Sequence, residues 1–320
     1  MLVDDRPDAG ATRPPTSQTT PPARRSPATR VGSALGGLLA MVPTWLLVVV
    51  LFLVPIVFLA VASLATFNWD TGKLDWVLTF ENYTELFRSS TFVAFKNSIF
   101  LSVVATIACV LIGYPIAYAI SLTSGRAQKL LLLAVITPFW TAFVVRVYAW
   151  LTLLGPGDLV PWMLSLTGLT SSDLDLTYTN TAVLIGIVYC YLPLSILPVY
   201  SVLEQIDRNL VLAAYDLGYS PAKAWFKVTL PLSLPGVAVS ALLVGIPCLG
   251  EYTIPAVLGG GKTLMIGNLV TNAFTGTGNY AAGAAIAMLL LAVILVANWG
   301  PRGIAALVRL ATRVLTRSAA

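Results

Sequence analysis

The chain has 320 residues, of which 57% are hydrophobic and 10% charged, with a formal net charge of +5 and no histidine. Soluble proteins carry roughly 25% charged residues, so this composition excludes a soluble globular chain and predicts an all-α polytopic membrane protein whose solvent is the lipid bilayer. Without histidine the commonest general base and metal ligand are missing, and no catalytic residue, metal site or cofactor is nominated; nucleic acid is not an expected partner.

In chain order, residues 1–33 are rich in Pro, Thr, Ala, Arg and Asp, lack apolar periodicity, and read as a disordered cytoplasmic tail. About 30 polar residues precede the first apolar run, which does not fit a secretory signal. Six apolar runs follow: Leu38–Leu64, Phe92–Leu122, Leu130–Leu154, Thr181–Leu203, Pro235–Leu258 and Tyr280–Gly300. Each is long enough for the roughly 20 residues that a helix needs to cross a bilayer, so residues 34–308 are expected to form one transmembrane domain, with 309–320 as a cytoplasmic C-terminal tail. Lys and Arg set the orientation. With both termini inside, the inner segments hold Arg6, Arg13, Arg24, Arg25, Arg30, Arg126, Lys129, Arg208, Lys223, Lys227, Arg302, Arg309, Arg313 and Arg317, against Lys73, Arg88, Lys96 and Lys262 outside.

The first outer loop, Thr66–Thr91, alternates aromatic and polar residues, and Phe80–Phe87 suggests a surface segment or an interfacial aromatic belt. The third connection, Gly155–Asn180, holds Asp158, Asp173 and Asp175 but no Lys or Arg. Cys109, Cys190 and Cys248 lie singly in apolar runs and read as small packing residues. Gly260-Gly261-Lys262-Thr263 resembles the end of a phosphate-binding loop, but Ala256 stands where that loop needs its first glycine and no strand precedes it. The chain is therefore expected to have no ATP site of its own.

Two ionisable residues lie deep in apolar runs, Arg146 in the third and Glu251 in the fifth. A charge at mid-membrane costs roughly 2.5–3.5 kcal/mol on insertion scales, so both are expected to avoid lipid. Each lies about sixteen residues from the start of its run, roughly 24 Å at helical rise. The two are expected to line a common polar region in the outer half, with a pairing between them, or a buried pair that only fixes packing, left open. Pro247, Gly250 and Pro255 around Glu251 free backbone groups that lipid cannot satisfy. This makes the fifth span the first choice for lining a path, and Pro138, Pro193 and Pro198 suggest the same for the third and fourth. Tyr148, Trp150 and Tyr252, with Trp140, offer aromatic faces to a cation there.

The least hydrophobic long interruption of the second half is Asp207–Gly236, within a cytoplasmic loop 204–234. Leu210, Ala213, Ala214 and Leu217 recur at helical spacing. Gly218 is expected to stop that helix, and a second short helix is expected over Ala222–Val228 before Pro231 and Pro235 return the chain to the membrane. A helix this short needs a surface to lie on. Either it is a knob on which another protein docks, using Ala213, Ala214 and Gly218 for close approach, or it is a connector on lipid headgroups.

Leu212-Ala213-Ala214-Tyr215-Asp216-Leu217-Gly218, followed by Val228-Thr229-Leu230-Pro231, resembles the cytoplasmic loop of binding-protein-dependent ABC importer permeases. Gly113–Tyr118, Arg146-Val147-Tyr148-Ala149-Trp150, Tyr191-Leu192-Pro193, Pro198-Val199-Tyr200, Leu203–Asp207 and Gly250-Glu251-Tyr252 are similar to the spermidine/putrescine-type subfamily, over roughly residues 40–300. The resemblance implies a type I ABC importer permease (MetI-like) fold with six transmembrane helices and both termini inside, in the bacterial inner membrane. It also implies three partners: a cytoplasmic ABC ATPase dimer, a second permease subunit and an extracytoplasmic solute-binding protein. It assigns Leu210, Leu212, Ala213, Ala214, Asp216, Leu217, Gly218 and Pro231 to ATPase coupling, and polyamine as the solute, with another small organic solute as the alternative. The family's glutamate falls on Leu212, which favours coupling by shape over charge. A self-sufficient secondary transporter and an intramembrane enzyme are the rivals; no internal repeat supports the first and no nucleophile–base set the second.

Overall fold

The computed structural model describes residues 42–87, 90–168 and 174–298. The tail 1–33, Arg88, Asp173, the first residues of the first run and the C-terminal tail 309–320 lie outside the described residues. Contacts group the chain into two units, Met1–Pro55 and Ile56–Ala320. Among the described residues five helices are long and apolar enough to span a membrane: α1 (Val42–Ala62), α3 (Ser90–Leu122), α7 (Asn180–Glu204), α9 (Pro221–Leu249) and α12 (Tyr280–Asn298). Two further pieces, α4 (Gly125–Ile136) with a 3₁₀ turn Thr137–Trp140, and α5 (Phe143–Leu153), are together long and apolar enough for a sixth span and are bent by 93°. Short elements complete the described chain: strands β1 (Thr66–Asn68) and β2 (Lys73–Asp75), and helices α2 (Glu81–Leu86), α6 (Leu159–Ser165), α8 (Arg208–Asp216), α10 (Thr253–Leu258) and α11 (Ile266–Thr271).

Two expectations are corrected by this layout. The third run is not one rod. Pro138 starts the 3₁₀ turn, and Thr141 and Ala142 are extended (ψ 144° and 136°), so the chain turns sharply before Arg146. The depth arithmetic that placed Arg146 and Glu251 level therefore does not apply. Nor do Pro231 and Pro235 end a separate helix after Val228, because α9 runs unbroken from Pro221 to Leu249. A π-turn, Trp225–Thr229, closes with the Leu230 N–H on the Trp225 carbonyl. This widened turn makes room for the ring of Pro231, which lacks an N–H and would otherwise crowd the carbonyl four residues back. The same device, a π-turn over Val49–Leu53, precedes Pro55 in α1.

The core is the three-helix contact of α3, α7 and α9. Small residues let the backbones approach: a Cβ on Gly236 would lie 3.0 Å from the Pro198 carbonyl oxygen, and one on Gly113 would lie 2.8 Å from Ser195 Oγ. Buried hydroxyls join the helices. Ser195 Oγ donates to the Cys109 carbonyl (2.9 Å) and so accepts from Ser240 Oγ (2.8 Å). Tyr114 Oη meets Ser233 Oγ at 2.8 Å, and Ser102 Oγ donates to the Gly245 carbonyl at 2.8 Å. Association inside a bilayer relies on such close packing and interhelical hydrogen bonds, since lipid tails remove the hydrophobic drive. The three cysteines are buried and unlinked within this packing. Pro193 is buried inside the continuous α7, so it serves packing here.

The first loop folds as a hairpin, which the sequence pattern did not predict. Asn68 Oδ1 accepts from the N–H groups of Asp70 and Thr71, and Gly72 takes φ +64°. β1 and β2 then pair antiparallel, with Phe67 opposite Leu74. The surface segment expected over Phe80–Phe87 is α2. Asn82 Nδ2 donates to the carbonyls of Ser63 and Ala65, and Tyr83 Oη meets Ser63 Oγ, so α2 is tied to the chain just after α1.

Candidate functional site

Two places gather the residues singled out in the sequence. The first is the segment around α8. Asp207 caps its start, its side chain accepting from the Asn209 N–H at 2.9 Å. At its end the Gly218 N–H bonds the Tyr215 carbonyl (2.8 Å) and the Tyr219 N–H bonds the Ala214 carbonyl (3.0 Å). With Gly218 at φ +81°, this is the Schellman arrangement that glycine permits. The helix is two-faced. Ala214 is buried, so it supports the helix against its own chain, which corrects the expectation that it faces a partner. Leu210, Leu212, Ala213, Asp216, Leu217 and Gly218 are exposed, Leu217 at 78%. Pro231 lies apart from this face, exposed on the side of α9. Beside α8 runs a groove of about 570 Å³, lined in part by Tyr118, Gln128, Glu204, Arg208, Leu212 and Tyr215. Arg208 Nη2 closes one edge by donating to the Ser121 carbonyl at 3.4 Å.

The second place is the break between α9 and α10, and it is built on Glu251. The carboxylate Oε1 accepts from the N–H groups of Tyr252 (3.1 Å), Thr253 (2.9 Å) and Ile254 (3.3 Å). Oε2 accepts from Tyr191 Oη on α7 at 2.7 Å. The three N–H groups are the unpaired donors at the start of α10, where the chain restarts as helix after the break. Other side chains complete the clamp: Asn268 Nδ2 donates to the Tyr252 carbonyl (2.9 Å), and Ser98 Oγ accepts from the Ile266 N–H (2.8 Å). Gly267 at the start of α11 comes so close that a Cβ there would lie 2.5 Å from the Gly250 carbonyl oxygen and 2.6 Å from that of Glu251. Irregular backbone inside a membrane survives only with such internal partners.

Arg146 does not pair with Glu251. It is 8% exposed on α5, its guanidinium carbon lies 5.4 Å and 5.6 Å from the Phe139 and Phe143 ring centroids, and Nε and Nη1 have no hydrogen-bond partner among the described residues. Of the readings left open, the structure shows no ion pair: Glu251 is engaged by three backbone N–H groups and by Tyr191 instead. Around the break Tyr252 is exposed, Gly250 is half-buried and Pro247 is exposed. Tyr148 and Trp140 also face outward, whereas Trp150 stacks edge-on against Tyr189 at 5.3 Å. Tyr191, Gly267 and Asn268 are the residues the site reading missed. The only signal was Tyr191's place in a family-like triplet, since their partners lie 60, 16 and 16 residues away in sequence.

The geometry agrees with the comparisons. The family model described as "Binding-protein-dependent transport system inner membrane component" matches residues 32–309. The spermidine/putrescine transport system permease protein PotB of Haemophilus influenzae is 39% identical over 211 residues, covering 66% of this chain and 74% of that one. PotB of Escherichia coli (strain K12) is 32% identical over 225 residues, 70% of this chain and 82% of the other. The inner membrane ABC transporter permease protein YdcU of the same organism is 30% identical over 241 residues, 72% and 77% of the two chains. Among solved structures, a chain of a bacterial ABC transporter that imports alginate superposes with a TM-score of 0.65 at 17% identity, covering 87% of this chain and 98% of that one. At that identity the likeness is one of fold.

Proposed function

The chain belongs to the family of binding-protein-dependent transport system inner membrane components, and from that premise we propose that it is the permease subunit of a polyamine importer, passing spermidine or putrescine. It is a multi-pass inner-membrane protein with the helical fold of ABC importer permeases. The observation that carries the solute is the similarity to two spermidine/putrescine permeases over at least 211 residues of this chain. In this reading both termini are inside, two cytoplasmic ATPases sit beneath a second permease subunit and this one, and an extracytoplasmic binding protein delivers the solute. Supply of solute and hydrolysis of ATP both belong to partners; this chain contributes path and coupling.

Coupling is assigned to the exposed face of α8, centred on Leu212, Ala213 and Gly218. Leu212 offers an apolar side chain, so contact with the ATPase rests on shape. In the path, Glu251 is engaged by four hydrogen-bond donors in this conformation, and Arg146 adds positive charge. Polyamine attraction is left to the exposed rings of Tyr148, Trp140 and Tyr252 through cation–π contact, worth about 0.5–1 kcal/mol each at exposed sites. Such a path binds its solute weakly, and selectivity resides in the binding protein.

The test is uptake into proteoliposomes of the co-purified assembly. Spermidine uptake is expected to need both ATP and the binding protein, and uptake that persists without ATPase would overturn the reading. Equilibrium binding of spermidine to the permease pair alone is expected to be weaker than to the binding protein by at least about 100-fold, about 2.7 kcal/mol. Equal affinity would place selectivity in the path instead.

Coupling has its own test. Ala213→Arg puts a long charged side chain on the exposed face of a helix that tolerates it, so the protein should insert and assemble while uptake falls at least tenfold. Gly218→Asp should act in the same direction, with added strain of about 1 kcal/mol at φ +81°. Normal uptake in Ala213→Arg would remove α8 from the coupling path.

A further inference from the structure

The first loop carries an apolar surface outside the two places described above. Trp69, Trp76, Val77, Leu78 and Phe80 are each at least 60% exposed, with Leu78 at 77%. Four of these five lie within five consecutive residues, 76–80. In water, so continuous a patch marks an interaction surface.

Its position says what it meets. Trp76 packs edge-on against Phe58, ring centroids 6.2 Å apart, and Phe58 lies four residues inside the end of α1 at Ala62. That is about 6 Å of helix rise, so the strand end at Trp76 folds back beside the spanning helix. The Thr79 N–H then bonds the Leu64 carbonyl at 2.7 Å, holding 76–80 alongside the exit of the span. On the same helix Val57, Phe58 and Val61 are exposed apolar residues of a membrane-crossing segment, so the two surfaces are continuous. The hairpin tip is opposite in character, with Asp70, Thr71, Gly72 and Lys73 all exposed. Beyond α2 the apolar surface continues from Phe87 into a groove of about 630 Å³ between α3 and α12, where Lys96 is the one cation among the described lining residues. A long apolar slot with a single cation fits a phospholipid chain and its phosphate, and Lys can extend its ammonium to the headgroup layer.

We propose that the hairpin and the segment 76–80 form an interfacial anchor, seated in the phospholipid headgroup region beside the end of the first span, with the tip in water. Tryptophan is enriched at that depth because its ring is apolar and its N–H polar. The anchor also sets the level of the path: Phe67 packs on Tyr280 at the start of α12 (6.4 Å), and Leu86 of α2 clusters with Ile266 of α11, the neighbour of Gly267 at the helix break. This inference rests on the chain spanning a membrane and not on which solute it passes, so its failure is separate from that of the importer reading.

The experiment uses the assembled transporter in phosphatidylethanolamine–phosphatidylglycerol liposomes, with a nitroxide attached at Leu78→Cys, Phe80→Cys or, as the aqueous control, Asp70→Cys. The native cysteines are buried, so the label goes to the introduced one. At 78 and 80 collisions with oxygen are expected to exceed those with a water-soluble nickel chelate at least threefold, and at 70 the order is expected to reverse. Chelate access at 78 and 80 equal to that at 70 would overturn the anchor. Labels shielded from both reagents would overturn it in favour of a protein partner, the second permease subunit or the binding protein.

Discussion

Replacing Glu251 with alanine should both destabilise the protein and stop transport, whereas Glu251→Gln should be mild. The alanine strands three backbone N–H donors and the Tyr191 hydroxyl. Each stranded buried donor costs about 1–3 kcal/mol, and rearrangement of the short α10 recovers part of that, so a net loss of about 3 kcal/mol is expected. Glutamine keeps the shape and one carbonyl oxygen for the backbone donors, while its amide can turn to the Tyr191 oxygen, and about 1 kcal/mol should be lost. Tyr191→Phe should match the glutamine variant, and the double variant Tyr191→Phe with Glu251→Gln should lose less than the sum of the two, because they share one bond. Thermal unfolding in detergent and uptake in proteoliposomes decide the matter. If Glu251 instead holds the solute's cation during passage, Glu251→Gln will abolish uptake with its unfolding temperature unchanged. That result would return Glu251 to the role its charge suggested in the sequence.

Gly267→Ala is expected to be nearly as damaging, though it adds one methyl group. Its Cβ would press on two backbone carbonyl oxygens at 2.5 and 2.6 Å, and backbone held by Glu251 and Asn268 cannot move aside. Overpacking of this kind costs about 1–3 kcal/mol, and the whole of α11 must shift to relieve it. Gly250→Ala is the control. Gly250 lies in the break itself and in the family-like triplet, yet its φ is −94° and a Cβ there would meet nothing closer than Leu290 Cδ2 at 3.7 Å. It should be tolerated within about 0.5 kcal/mol. Equal tolerance of both variants would show that the close approach of α11 to the break is not maintained in the working transporter.

These two sites mark where sequence reasoning stopped. Gly250 and Glu251 stood out because a glycine and a charge are conspicuous in an apolar run, and both were taken as path residues. Gly267, in a weakly apolar stretch after the last turn of α10, carried no such mark, yet it is the glycine that the packing requires. In the same way Ala214 and Ala213 are indistinguishable as letters, but helical phase against the N-terminal turn of α9 buries one and exposes the other. The Asn68–Gly72 turn, with Asn68, Asp70 and Gly72 as its turn-forming residues, was hidden by the aromatic content of the loop around it.

What the sequence determined by itself is where the apolar spans lie, the short helix through Leu210–Leu217 and its glycine stop. A bilayer offers no hydrogen bonds, so any long apolar run must satisfy its own backbone as a helix, and capping is decided by residues within a few positions of one another. What only the tertiary structure decided is how the two interrupted spans close on themselves. A proline or glycine announces that backbone groups are freed but not which distant side chain receives them. At the Glu251 break Asn268 donates to the Tyr252 carbonyl and Tyr191 donates to the carboxylate that caps the N–H groups, while Ser98 accepts from the Ile266 N–H at the start of α11; the three lie on other helices. For the same reason Arg146 and Glu251, level by residue count, do not pair: one lies beyond a 93° bend and the other is already taken by its own chain.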